Sequence, residues 1–461
     1  MPRRLSRRLC CALLLPLLPF AVRAQATGAP TVSSMDIERA VQRNSARIDW
    51  PGFAPLSIPL AVFDGTRTTL FRHPSPPVEF SRTGKDSLYT MTGRHPAITA
   101  NSSADIGGHG TATILTDRQR TAVSAEQLAA VALHESFHVY QRAKHPRWSG
   151  NEGDLLTYPV DDARRLGVRR LETDALRRAS EARQSTDAAC WARAFLTLRA
   201  ARFDGLDSAF TRYERATELN EGLASYVQLR ALETRTVPFP VSEFAPAALR
   251  LRTYTTGPAI ALLLDQFAPA WKSSLEASDA QSLDDMLAGA LPRPANVQPC
   301  VHPSAERMSA MRAATRDSVA LASDRAARRA TFDTRTGYRI RVQAAEGAPL
   351  WPQGFDPLNV ERTDGGLLHT RFLTLGNAAG MIRLIDEASA DIDALTVAAG
   401  THPLFNGIRA VEVAGIGEPT VRMAGDTLTI TATGLSLSLR NARAERDGTR
   451  IRVLIGPPRN E

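Results

Sequence analysis

Lysine is nearly missing from this chain. It stands only at Lys85, Lys144 and Lys272, in a sequence where Lys and Arg together number 56. The skew toward Ala and Arg reads as a coding bias and says nothing about function. Cysteine is scarce too: Cys10 and Cys11 fall at the extreme N-terminus, leaving Cys190 and Cys300. Without CxxC spacing or a local His partner, these two do not read as a thiolate metal site or a catalytic thiol. An even pair in an exported chain is expected to form one disulfide, ahead of two free thiols. Aromatics make up 6 % of the residues and nowhere interleave with a basic stripe, which argues against nucleic-acid binding. Long apolar runs are lacking except at residues 9–22, and that run falls short of the roughly 20 residues a membrane-spanning helix needs. It follows Arg3, Arg4, Arg7 and Arg8 and precedes small residues at Ala24 and Ala26, the layout of a cleaved export leader over residues 1–24. Losing that segment removes five arginines and no acid, so the formal charge falls from +8 to about +3.

What is present is ordinary for a globular protein, 43 % hydrophobic and 23 % charged, and 461 residues suffice for two or three domains. Residues 25–50 read as a loose lead and a short helix. Residues 56–115 read as strands and turns: residues 58–63 are apolar, Asp64-Gly65 turns the chain, and residues 68–71 return. Residues 125–330 are rich in Ala, Leu, Arg and Glu at helical spacing. An apolar helix is expected between Tyr254 and Leu275, starting through Gly257-Pro258, and residues 304–330 read as a charged helical connector. Beyond residue 335 the period switches to two, most plainly in the Leu-Ser-Leu-Ser-Leu of residues 435–439, and Asp447-Gly448 marks a hairpin before residues 451–455. A separate, sandwich-like β-rich domain is predicted over residues 336–461.

One motif carries chemistry. His134-Glu135-Ser136-Phe137-His138 fits HExxH. Residues four apart lie on one helix face, so two imidazoles there can reach one zinc ion at about 2.0–2.1 Å. The Glu beside the first His points toward the water that zinc binds and acidifies toward a pKa of roughly 7. A helix is expected: Ser124 with Gln127 makes a capping box, residues 128–133 are apolar or small, and neither Gly nor Pro intervenes before Pro146. The plainer alternative is two core histidines beside a satisfied acid.

A hydrolytic zinc site needs three protein ligands and an open position. The metzincin arrangement would put Gly and His where Gln141 and Lys144 stand, and His145 is one residue out of register. Residues 219–226, within a helical pattern over 208–233, read Leu-Asn-Glu-Gly-Leu-Ala-Ser-Tyr. This run closely resembles the LNEGFA(S/T) segment of the alanyl-aminopeptidase family and is similar to the NExxS segment of thermolysin-like enzymes, both gluzincins. In both, that Glu is the third zinc ligand. The resemblance therefore implies a zincin-like zinc metallopeptidase with His134, His138 and Glu221 as metal ligands and Glu135 as general base. It covers two short helices and the strands before the first. The 82 residues between His138 and Glu221 far exceed the family's gap and read as an inserted helical block over 147–208. The family's GxMEN loop is absent, so aminopeptidase specificity does not carry over.

Gly222, Ala224 and Ser225 are small enough to let the second helix pack closely against the first. The plain alternative for Glu221 is a solvated helix acid; competing acids are Glu214 and Glu218 on the same stripe, and Glu152 and Glu172, which lack small neighbours. The gluzincin order also implies Tyr254 as hydrogen-bond donor to the developing oxyanion. Tyr226 reads as packing support, and Tyr140 and Gln141 as neighbours of the site. Residues 111–115, ahead of the HExxH helix, are expected to be the edge strand that binds an extended peptide; His109 beside them reads as a loop residue. The expectation is an α+β chain with a zincin-like catalytic domain over 25–335 and a β-rich domain after it, exported to the periplasm or beyond, acting on a peptide or protein with Zn2+. Two alternatives stay open: a non-catalytic envelope scaffold retaining the fold, and a zinc hydrolase of a non-peptide amide or ester.

Overall fold

The computed structural model describes residues 32–457, apart from 85–86, 118–122, 279, 293–298 and 385–391. The expected leader lies outside the described residues. The chain begins with α1 (Ser34–Ser45) and runs into six strands, β1 (Leu60–Phe63), β2 (Arg67–Phe71), β3 (Ser81–Arg82), β4 (Leu88–Thr92), β5 (Ser102–Ile106) and β6 (His109–Leu115). The expected hairpin is β1–β2, with Asp64-Gly65 at its turn and Gly65 at a φ of 99°, where a side chain would be strained. The strand order is β3-β4-β2-β1-β6-β5, antiparallel except between β1 and β6. All of β1 is apolar because both its faces are covered: Leu60 and Val62 enter the large core beneath α1 and the helices that follow, while Ala61 and Phe63 join Leu70, Ile106 and Phe80 on the other side.

One expectation is overturned here. Residues 111–115 belong to β6, which lies between β1 and β5; the edge strand on that side is β5. Sequence order placed β6 next to the HExxH helix, but the tight Gly107-Gly108 turn folds β5 back along its outer side.

The helical block holds α2 (Ala125–Lys144), α3 (Glu152–Thr157), α4 (Ala163–Glu181), α5 (Ser185–Phe203), α6 (Ser208–Thr217), a π-helical turn (Glu218–Gly222), α7 (Leu223–Ala231), α8 (Leu249–Phe267), α9 (Trp271–Glu276), α10 (Leu283–Ala290) and α11 (Ser304–Thr334). Ser124 and Gln127 form the expected reciprocal capping box at the start of α2. Cys190 on α5 is disulfide-bonded to Cys300 ahead of α11. Among the described residues, no helix is long and apolar enough to cross a membrane.

The apolar helix does not start at Gly257-Pro258. It is α8, it starts at Leu249, and Pro258 lies inside it. Burial of Leu249, Arg252, Thr253, Thr255 and Thr256 on its first turns outweighs the roughly 3 kcal/mol that an interior proline disfavours a helix. The reason for Gly257 is a close crossing: a Cβ added there would stand 2.4 Å from the Cα of Gly222, and one on Gly222 would stand 2.7 Å from the Cα of Gly257. Gly222 thus makes room for α8 rather than for the HExxH helix. Gly257→Ala is expected to destabilise the fold by about 1–3 kcal/mol, as overpacking does, read as a lower thermal midpoint with the same substitution at exposed Gly289 as control.

Beyond α11 lie thirteen strands: β7 (Tyr338–Gln343), β8 (Trp351–Phe355), β9 (Val360–Thr363), β10 (Gly366–His369), β11 (Leu373–Asn377), β12 (Gly380–Leu384), β13 (Asp393–Ala398), β14 (Ile408–Ile416), β15 (Thr420–Ala424), β16 (Thr427–Ala432), β17 (Leu435–Arg440), β18 (Ala442–Asp447) and β19 (Arg450–Ile455). They form two sheets, β18-β19-β7-β14-β13-β10-β9 and β15-β16-β17-β12-β11-β8. Ile340, Val342 and Val411 of the first share a core with Leu375, Ile382 and Leu437 of the second. On β17 the three leucines are buried and the residues between them exposed, the alternation legible in the sequence. Leu156 of α3 enters this core, His402 donates from Nε2 to the carbonyl of Gly153 at 3.1 Å, and Phe332 of α11 packs against Leu368, Leu395 and Ala414, so α3 and α11 both seat the sandwich on the helical block. The whole is α+β: a six-stranded N-terminal sheet, a central helical block and β-rich C-terminal sheets.

Candidate metal centre

The HExxH residues sit in the middle of α2, with His134 and Glu135 almost wholly buried. His134, Glu135 and His138 each present a ligand atom, all within 4.8 Å of one another. The π-helical turn brings a second carboxylate to the same point. Glu221 Oε2 lies 3.3 Å from His138 Nε2 and 3.8 Å from His134 Nε2, and the two Nε2 atoms are 3.1 Å apart. Ligands held 2.0–2.2 Å from a tetrahedral centre are separated by about 3.3–3.6 Å. The triangle of Nε2, Nε2 and Oε2 is of that size. Its one carboxylate and two imidazoles are the donor chemistry zinc takes, so these residues fit the group. One extra residue in a helical turn is a frequent device at functional sites, and here it falls on the segment that carries Glu221.

Neighbours fix these side chains. Gln141 receives its place from α2 itself: its Oε1 is 2.8 Å from His138 Nδ1, and its Nε2 donates to the carbonyls of Leu219 and Asn220 at 2.9 and 3.0 Å. One amide thus orients the second imidazole and ties it to the turn bearing Glu221, as outer partners do at metal sites. Arg250 grips the other side of Glu221. Its Nη2 donates to Oε1 at 2.6 Å, its Nη1 to the Tyr254 hydroxyl at 2.8 Å, and its Nε to Glu152 at 2.9 Å. Arg250 escapes notice in the sequence; the available signal is its position four residues before Tyr254, one turn away on the same face of α8.

Burial by itself would raise the pKa of Glu221, but hydrogen bonds from His134 and His138 and the charges of His138 and Arg250 outweigh it and hold the carboxyl far below the usual range. For His138, burial lowers the pKa, and the hydrogen bond and charge of Glu221 more than compensate, so it is raised. Tyr254 is pushed up by burial and by the Glu221 charge, which keeps its hydroxyl protonated. Its ring stacks on that of His134, with centroids 6.1 Å apart.

The site opens into a cavity of about 610 Å³. Its walls come from β5 through Ser102 and Ser103, from α2 through His134, Glu135, His138, Gln141, Arg142 and His145, and from Asn220, Glu221, Arg250 and Tyr254. All five sequence-predicted site residues therefore face one cavity. His145, out of register as a ligand, is instead held by Glu276 at 2.8 Å and stacks on Trp148. Tyr140 donates to the same Glu276. Tyr226 packs against Trp50 and Trp271 and donates to Asp265, away from the cavity. His109 opens β6, against His73, and also stays outside it.

Glu221 is 4 % exposed, so it is not a solvated helix acid, and its rivals are engaged elsewhere. Glu172, Glu214 and Glu218 are each at most 1 % exposed. Arg199 bridges Glu172 and Glu218, Arg202 bridges Glu172 and Glu214, and Arg252 donates to Glu172. Thr256 of α8 also donates to Glu218, at 2.6 Å. These acids are the anchor of the turn that carries Glu221, three residues along from Glu218. Glu152 accepts from Arg250 and from the Tyr213 hydroxyl.

No family model matches the chain, and no curated protein or solved structure matches it either.

Proposed function

We propose that this chain is an exported zinc metallopeptidase. The observation that carries the reading is the triangle of His134 Nε2, His138 Nε2 and Glu221 Oε2, with edges of 3.1, 3.3 and 3.8 Å, on the wall of an open cavity. In this reading those three residues hold zinc, and the cavity side stays free for water and substrate. Zinc bound there would polarise a carbonyl and ease deprotonation of water.

The residues around it supply the rest. Glu135, on the cavity wall beside both imidazoles, accepts a proton from the attacking water and returns it to the leaving amine. Tyr254, protonated and lining the same cavity, donates to the oxygen that gains negative charge. Arg250 keeps Glu221 Oε1 occupied, so that Oε2 alone faces the imidazoles. The open backbone of β5, next to Ser102 and Ser103, suits an extended peptide. The Cys190–Cys300 disulfide supports an oxidising compartment.

The direct test is metal content of the purified mature protein beside Glu221→Ala. About one zinc per chain is expected in the wild type, with affinity reduced at least about 10-fold in the variant, the scale seen when even outer partners of a metal ligand are removed. Absence of zinc from the wild type after reconstitution would sink the reading in favour of a scaffold that keeps the fold alone.

A further inference from the structure

The cavity holds two cationic side chains, and they differ in one respect. Arg250 is engaged, with every guanidinium nitrogen donating to Glu152, Glu221 or Tyr254. Arg142 lines the same cavity and has no hydrogen bond or ion pair with any described residue. It is exposed at the rim, one helical turn beyond His138 on the same face of α2. The acid nearest to it in influence is Glu135, whose charge it feels without a contact. The other basic group on this wall, His145, is engaged by Glu276.

We propose that Arg142 is a specificity-determining residue that binds a carboxylate of the substrate one or two residues from the scissile bond. The proposal rests on the metallopeptidase reading and names the substrate class for it. Distance sets the spacing: Arg142 lies four residues past His138, about 6 Å along the helix axis, and an extended peptide advances about 3.3–3.6 Å per residue. For a peptide running along α2, a carbonyl at the His134–His138–Glu221 triangle therefore leaves the next residue or the one after it level with Arg142. Arginine's planar fork matches a carboxylate with two parallel N–H donors. The anion has two sources, the free C-terminus of a peptide or an Asp or Glu side chain, and both present the same group.

The test separates this from the hydrolase reading by measuring binding without turnover. Zinc-loaded, full-length mature Glu135→Gln protein is titrated calorimetrically with N-acetylated tripeptides in two matched sets. One compares a free C-terminal carboxylate with its amide; the other compares Glu with Gln in an amidated peptide. The acid is expected to bind at least about 10-fold tighter than its neutral partner in one set, the scale of one charge-assisted hydrogen bond. The set that responds identifies the source. Adding Arg142→Gln should bring that ratio close to one, and Arg142→Lys should restore part of it. A ratio near one before the change, or an unaltered ratio after it, overturns the proposal; the latter would mean that the acid binds zinc itself. A role confined to tuning Glu135 would leave the ratio in place. Wild-type protein that shows the ratio but cleaves no peptide would defeat the hydrolase reading and leave Arg142 as a carboxylate-binding residue.

Discussion

Glu135→Gln is expected to lower peptide hydrolysis by about 10²–10⁴-fold, the contribution of a positioned general base, while zinc content stays at one per chain. The separation follows from geometry. The three atoms that form the ligand triangle belong to His134, His138 and Glu221, and none to Glu135. Glutamine keeps the size and a hydrogen-bonding oxygen, so the buried wall of α2 is not emptied, but it cannot take a proton from water. The measurement is a pair: hydrolysis of a quenched fluorescent peptide library, and zinc by elemental analysis of the same preparation. Zinc retained with activity lost supports the assignment. Unchanged hydrolysis removes Glu135 as the base, and zinc lost together with activity moves Glu135 into the ligand set.

A second large effect is expected far from solvent. Glu172→Ala should destabilise the protein by about 3–5 kcal/mol, because removing one member of a buried ion network leaves its partners charged and unpaired. Here three arginines, Arg199, Arg202 and Arg252, converge on Glu172, and all four side chains are at most 2 % exposed. Thermal or urea unfolding reads the change. Glu172→Gln, which keeps the volume, should show a loss of similar sign if charge is the cause; a loss below about 1 kcal/mol would place the network among dispensable pairs.

The same network fixes a pH dependence. Burial pushes the Glu172 and Glu214 pKa values up, but the surrounding guanidinium groups hold both below the ordinary value of 4.5. A carboxyl with a depressed native pKa contributes stability that is complete above its unfolded pKa. That contribution is lost as pH falls from about 4.5 toward the native value, because the unfolded chain then binds the proton more readily. Unfolding midpoints should fall through that range in wild type and fall less steeply in Glu172→Ala.

The His134, Glu135 and His138 group was legible because its chemistry is written in a local pattern. The HESFH spacing places two imidazoles on one helix face, and the Ser124–Gln127 box marks where that helix begins; both need only neighbours a few residues apart. Glu221 was singled out by the resemblance of its own short run to the gluzincins, yet the sequence offered the wrong partner for Gly222. A glycine announces that something approaches closely without saying what, and it is Gly257 of α8 that does so. Arg250 was invisible for a related reason. Arginine is abundant in this chain, and only the fold shows which one donates to Glu221.

Strand position failed for a topological cause. Residues 111–115 carry a strand pattern, but whether a strand is an edge depends on what pairs with its far side, and β5 occupies that side of β6. Likewise the sequence could rank Glu172, Glu214 and Glu218 only as rivals of Glu221. Their burial depends on arginines that are 12 to 80 residues away in sequence.

Spacing along one segment was enough for the alternation of residues 435–439, the switch from helical to alternating period near residue 335 and the two imidazoles of HESFH, whereas Glu221 and Tyr254 entered through the resemblance to the gluzincins. The packing of distant segments shows which strand forms the edge, which glycine meets which, which arginine holds Glu221 and which acids are buried. Those are properties of surfaces brought together from distant segments, and no local period encodes the partner.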